Sequence, residues 1–131
     1  MLFQCPASFG PDPQNVRNMR AFFERIDRPR ARLLWEPRGA RWVSERALAV
    51  ALCRELDLVH VVDPFVTPPE RGGPAYWRLH GPGAPRNSYT DSHLRELCVM
   101  AREVEADSVY VMFNNLPRVG DATRFLRIAA G

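Results

Sequence analysis

The chain has 131 residues, 46% of them hydrophobic and 10% aromatic, the composition of one globular domain with a sizeable core and not of a disordered chain. All 18 basic residues are arginine, and against 15 acidic ones they leave a formal charge of +3; the signs are interspersed, so no dominating nucleic-acid surface is expected. No apolar run of about eighteen residues occurs, nor a basic start followed by an apolar stretch, so neither a membrane span nor a signal peptide is expected and the chain is assigned to the cytoplasm.

The chain opens inside a strand, MLFQC (1–5). Asp12 then reads as a helix N-cap with Pro13 at N1, and Val16, Met19, Phe23 and Ile26 follow at spacings of three and four along one face. That helix is expected to end near Asp27, with Pro29 blocking continuation. The dense basic stretch from Arg25 to Arg32 reads as a solvated helix end and loop, with a nucleic-acid patch as the alternative. A second strand covers 33–37, and Ser44 reads as the cap of a second helix that turns Leu48, Ala51, Leu52 and Leu56 toward the sheet. A third strand, 58–62, leads into VTPPERGGP (66–74), a loop too stiff and too short for a crossover helix. The fourth strand, 75–80, is followed by GPGAPRNSY (81–89) and by a helix capped by Thr90, with Leu94, Leu97, Cys98, Ala101 and Val104 on one stripe. A fifth strand, 109–113, precedes a last helix predicted to start at Asp121. Cys5, Cys53 and Cys98 lack a C-x-x-C pairing and read as reduced thiols, Cys53 and Cys98 in the core.

Strands alternating with helices predict an α/β fold with about five parallel strands. Each apolar run ends in polar residues: Gln4, Glu36 with Arg38, Asp63, Arg78 with His80, and Asn114 with Asn115. In parallel α/β sheets ligands sit at the carboxyl ends of the strands, so these residues form the candidate site. The two-residue period of a strand sorts them further. Tyr76, Arg78 and His80 share one face while Trp77 and Leu79 share the other; Leu34, Glu36 and Arg38 go together, as do Tyr110, Met112 and Asn114. Glu36 and Arg78 are expected to pair as ions, either within the site or as filling of a barrel layer. A guanidinium fork, an imidazole and Asn amides make a receptor for phosphate or carboxylate, and His80 is also a candidate general acid or base. Glu36 and His80 are thus the candidate catalytic residues, with Gln4, Arg38, Asp63, Tyr76, Arg78, Asn114 and Asn115 as ligand contacts. No cofactor is predicted. A divalent ion on Glu36, Asp63 and His80 is the alternative, resting on ligand type without a spacing signature. The sequence contains no nucleophile elbow, P-loop or dinucleotide glycine motif.

FQCPASF (3–9), WEPRG with Trp42, YWRLHG (76–81), the Tyr89-Thr90-Asp91 helix start with Leu94, and YVMFNN (110–115) followed by Asp121-Ala122 resemble, in that order, the YecE-like family, domain of unknown function 72. The resemblance implies a TIM-type (β/α) barrel of about twice this length, without an established biochemical role, of which this chain carries the later strands, roughly the fourth to the eighth. It implies three further βα units ahead of the first strand seen here. A truncated or mis-started gene product is the favoured explanation; a partial barrel that closes by self-association through its open sheet edges and a stable open sheet are the others. The functional expectation is a pocket for a small anionic or phosphorylated ligand, acting as a hydrolase or isomerase if it is catalytic. A barrel that binds or cleaves nucleic acid and an inactive fragment are the alternatives.

Overall fold

A computed structural model describes every residue of the chain except Pro29, so the expected block to the first helix lies outside the described residues. The chain divides into two compact units, Met1–Val62 and Asp63–Gly131. Strands alternate with helices in both, and within each unit neighbouring strands run parallel, which makes the fold α/β.

The first unit contains β1 (Leu2–Gln4), α1 (Pro13–Arg25), β2 (Leu34–Glu36), α2 (Ala40–Ser44), α3 (Arg46–Glu55) and β3 (Val59–Val62). β1 pairs with β2 and β2 with β3, in a register that sets Phe3 beside Trp35, Trp35 beside His60, and Gln4 beside Glu36. Because alternate residues take opposite faces, Phe3, Trp35 and His60 lie on one side of the sheet and Gln4 and Glu36 on the other. The first side is the core: Val16, Met19 and Phe23 of α1 and Leu52 and Cys53 of α3 bury against Trp35, which is 0% exposed. Edge-to-face contacts lock Phe3 to Phe22 and Phe23, and Trp35 to Trp42 at 5.0 Å. The indole N–H groups are satisfied locally, Trp35 donating to the Cys5 thiol and Trp42 to the Phe9 carbonyl.

Two helix boundaries differ from expectation. Asp12 occupies the N-cap of α1, but its carboxylate does not cap; it accepts two N–H groups of Arg41 at 2.8 and 3.2 Å, and that charge-assisted pair outcompetes a bond to the helix backbone. Ser44 is the last residue of α2, a short helix the sequence does not announce, and its hydroxyl donates to the Ala40 carbonyl at 3.1 Å instead of capping α3. A hydroxyl inside a helical turn readily bonds the carbonyl four residues back, which removes it from capping duty. α3 stops at a Schellman motif: the Leu58 N–H bonds the Cys53 carbonyl and the Asp57 N–H the Arg54 carbonyl, with Asp57 at φ 50° in the left-handed position.

The second unit contains β4 (Pro74–Leu79), α4 (Asp91–Glu103), β5 (Ser108–Phe113) and α5 (Arg118–Ala130). The Pro/Gly segment ahead of β4 forms no helix, as its composition requires, and is tied down by backbone bonds from Gly72 to Glu105 (2.6 Å) and from Asp107 to Gly73 (3.0 Å). β4 and β5 pair in parallel with Tyr76 beside Tyr110, Arg78 beside Met112 and Leu79 beside Phe113. Ala75, Trp77 and Leu79 are buried together with Leu94, Leu97 and Cys98 of α4, and Phe113 meets Phe125 of α5 at 5.7 Å. Thr90 caps α4 as expected, in a capping box completed by His93. α5 begins three residues before the expected Asp121, which sits in its first turn and is buried. Its carboxylate is committed to the Tyr89 N–H, the Asn115 amide and the Arg124 guanidinium one turn along α5, so it takes no part in capping. The three cysteines are free thiols, Cys53 and Cys98 buried, and no helix among the described residues is long and apolar enough to cross a membrane.

Candidate functional site

Each unit carries its own polar cluster at the carboxyl ends of its strands. In the first, Gln4 and Glu36 share the face opposite Trp35. Glu36 is buried and pairs with half-buried Arg38 at 3.5 Å, which gives the carboxylate the partner that burial demands.

The second unit builds the richer cluster. Trp77 and Leu79 are buried, while Tyr76, Arg78 and His80 are partly exposed on alternate positions, Tyr110 and Met112 are exposed beside Tyr76 and Arg78 on β5, and Asn114, exposed, follows the end of β5. Tyr76 stacks on Tyr110 with ring centroids 5.9 Å apart. At the strand tip, Asn114 Nδ2 lies 3.3 Å from His80 Nδ1. Asp63 supports that tip from behind. One of its carboxylate oxygens accepts the Phe65 N–H at 3.1 Å, closing an Asx turn, and the other accepts the His80 N–H at 3.2 Å.

The loop after β4 is shaped by buried polar groups. Gly81 stands at φ +94°, and a Cβ there would come within 2.4 Å of the Ala84 carbonyl, so only glycine fits this turn. The Gly81 N–H donates to the Tyr89 hydroxyl at 2.8 Å. Burial, with the nearby Asp63 charge adding to it, pushes the Tyr89 phenol up to about 12, so it stays protonated. Asp121, 1% exposed, collects the Asn115 amide at 2.6 Å, the Tyr89 N–H at 3.1 Å and an Arg124 N–H at 3.1 Å. Asn115 also donates to the Asn87 carbonyl at 3.0 Å, and Arg124 to the Tyr89 carbonyl at 2.9 Å and to Asp91.

Of the residues singled out in the sequence, Asp63, His80 and Asn114 thus meet around the tips of β4 and β5, and Arg78 lies one step back on β4, beside Met112. Tyr76 lies two residues earlier on the same face of β4. Gln4, Glu36 and Arg38 belong to the first unit. Asn115 points into the buried network that holds the 81–89 loop, away from its neighbour Asn114. Asp121, Arg124 and Tyr89 complete that network and were not among the candidates; Tyr89 meets Asp121 across 32 residues of sequence and Arg124 across 35, which local pattern does not reveal. His60 was also missed. It is largely buried and stacks against Trp35 at 6.4 Å, and its Nδ1 has no hydrogen-bond partner among the described residues. Burial, helped by the positive charge of Arg46, pushes its imidazole down to about 4. One polar residue inside LVHVV, in phase with the core face, is the signal that could have found it. Among the described residues no group of three or more His, Cys, Asp or Glu side chains is arranged to hold a metal ion.

A parallel α/β chain with polar strand tips defines a broad class, and comparison narrows it. Residues 1–129 match the family described as protein of unknown function DUF72, and the chain belongs to that family. Two crystal structures of a DUF72 family protein from Enterococcus faecalis share the fold. One, at 3.10 Å resolution, superposes with a TM-score of 0.81 at 18% identity, covering 100% of this chain and 58% of that one. The other, at 2.52 Å, gives 0.77 at 21% identity, covering 99% and 59%. This chain therefore spans less than two thirds of the length of those relatives. No curated protein matches it.

Proposed function

We propose that the five strands correspond to part of a TIM-type (β/α) barrel, and that the tips of β4 and β5 form a receptor for a small anionic or phosphorylated ligand. The observation that carries this reading is the alternation on β4 and β5. Arg78, His80 and Asn114 fall in the phase opposite the residues buried under α4 and α5, and His80 and Asn114 meet at the strand ends, where parallel α/β sheets take their ligands. Arg78 supplies a guanidinium fork suited to a phosphate or carboxylate. His80 supplies a second donor and a group able to take up or give a proton. Asp63, both of whose carboxylate oxygens hold backbone N–H groups, positions the tip without contacting ligand. In the first unit, Arg38 is a further candidate anion contact, oriented by Glu36.

Calorimetric titration with inorganic phosphate and with a sugar phosphate tests the reading. Binding that weakens at least tenfold in Arg78→Met supports it. Equal binding in the variant, or none by the native chain, overturns it. Where turnover of a phosphorylated substrate is found, His80→Gln separates enzyme from receptor: an enzyme loses turnover and keeps its ligand, a receptor changes affinity alone. DNA binding that falls steeply with salt, in place of phosphate binding, would instead mark a nucleic-acid surface.

A further inference from the structure

The geometry points to a defined protonation form of the strand-tip imidazole: Asn114 holds neutral His80 as the Nε2–H tautomer, so the ring is a hydrogen-bond donor to an oxyanion whether or not it is charged. This rests on the anion-receptor reading of the same site and narrows its ligand.

An amide nitrogen carries two donors and no acceptor, so the ring nitrogen it meets must accept. Asn114 Nδ2 meets His80 Nδ1 at 3.3 Å. A neutral imidazole bears one proton, which then sits on Nε2. The contact is built into the sheet. The Asn114 N–H donates to the Leu79 carbonyl at 2.8 Å, and the His80 N–H donates to Asp63 at 3.2 Å, so both residues are pinned through their backbones before their side chains meet. Asn115, anchored to Asp121 and to the Asn87 carbonyl, fixes the chain immediately after Asn114. Asn114 is a positioning residue in this scheme and His80 the ligand contact.

The chemical consequence is selectivity. The lone pair of neutral His80 lies on Nδ1 and is engaged by an amide N–H, so the ring offers a ligand a donor and not a metal-binding nitrogen. With the Arg78 guanidinium on the same face, the groups favour an acceptor-rich oxyanion, a phosphate monoester or a carboxylate, over a divalent cation. Binding is expected to survive loss of the ring charge, because the neutral ring keeps its Nε2 proton.

Long-range 1H–15N correlation spectra of the labelled chain read the tautomer directly. His80→Gln assigns the signals, and His93 is an internal reference because its Nδ1 accepts the backbone N–H of Thr90 at 3.3 Å. In its neutral form His80 should show an unprotonated Nδ1 and a protonated Nε2, the pattern expected of neutral His93. Asn114→Asp should reverse this, since a carboxylate accepts from Nδ1–H, and Asn114→Ala should leave both forms populated. A protonated Nδ1 in the native chain, or a pattern indifferent to both substitutions, would overturn the inference. Adding inorganic phosphate distinguishes the two levels of the argument. The His80 Nε2 signal should move, with affinity differing less than about tenfold between the charged and the neutral ring. Phosphate that binds only the protonated ring would overturn the donor role. Phosphate that leaves the His80 signals unmoved, with the tautomer as stated, would overturn the receptor reading and the ligand assignment while Asn114 keeps its positioning role.

Discussion

The two units solve the same structural problem with different materials. In Met1–Val62 the sheet is held to its helices by ring packing, with Trp35, Trp42, Phe3 and Phe23 in edge-to-face contact; the Arg20–Glu55 and Arg41–Asp12 ion pairs lie at the surface, and buried Glu36 pairs with half-buried Arg38. In Asp63–Gly131 an apolar layer is also present, but the loop after β4 takes its shape from buried polar groups centred on Asp121. The difference teaches where each material is needed. Apolar packing is non-directional and serves to close a layer; a loop that must present a defined strand tip needs directional bonds, each of which becomes costly if one partner is lost.

The sharpest way to break the contrast is to remove the centre of each unit. Trp35→Ala deletes a fully buried indole and is expected to cost about 4 kcal/mol, read by urea denaturation, with loss of cooperativity in the first unit. Asp121→Ala is expected to cost about 3 kcal/mol, because it strands the Asn115 amide, the Tyr89 N–H and an Arg124 N–H at once. Hydrogen exchange distinguishes the two. The Asp121 variant should lose protection first at Gly81 and Tyr89, whereas a uniform loss over the whole unit would mean the network acts as core and not as a loop clamp.

His60 supplies a third test, one that belongs to the first unit alone. Its folded-state pKa, about 4, lies below the unfolded value near 6.5, so the unfolded chain binds the proton more readily. The neutral form stabilises the fold fully above pH 6.5, and that contribution is lost as pH falls through 6.5 toward 4. Between pH 7.5 and pH 5 the loss should be about 2 kcal/mol. Denaturant midpoints measured across that range check it. His60→Phe, which keeps a ring against Trp35 and removes the titration, should flatten the profile; an unchanged slope would assign the pH dependence to carboxylates instead.

How much of this was legible in the sequence follows the same division. YWRLHG yields its two faces to a period-two reading because both faces belong to one strand, and Val16, Met19 and Phe23 declare their helix because their partners matter less than their spacing. Asp121 reads as a helix start because acidic residues favour N-termini; its true role depends on its near neighbours Asn115 and Arg124 and on Tyr89, 32 residues away, which only folding brings to it. Ser44 misleads for a related reason: a serine before an apolar run is a good cap until an unannounced short helix absorbs it. In the candidate site, the residue types at the tips of β4 and β5 were readable, but the division between Asn114 facing His80 and Asn115 facing inward required coordinates. Trp77, with its indole nitrogen buried and without a partner among the described residues, has no physical account in sequence or structure.

The smallest effect gives the finest comparison, because α1 and α4, the first helix of each unit, start with different chemistry. Thr90 accepts the His93 N–H at 3.2 Å and His93 Nδ1 accepts the Thr90 N–H at 3.3 Å, a reciprocal box. Asp12, in the equivalent position of α1, makes no cap bond and spends its carboxylate on Arg41. Thr90→Ala should therefore cost about 1 kcal/mol, measured as a shift in the urea midpoint with the slope unchanged. His93→Gln, whose side chain can accept the same backbone N–H, should leave the midpoint in place. Asp12→Ala removes an exposed ion pair and no cap, so it should move the midpoint less than Thr90→Ala and lose even that effect at high salt. Equal shifts for the Thr90 and Asp12 variants at high salt would mean that Asp12 caps α1 in solution, and the difference in how the two units begin their helices would disappear.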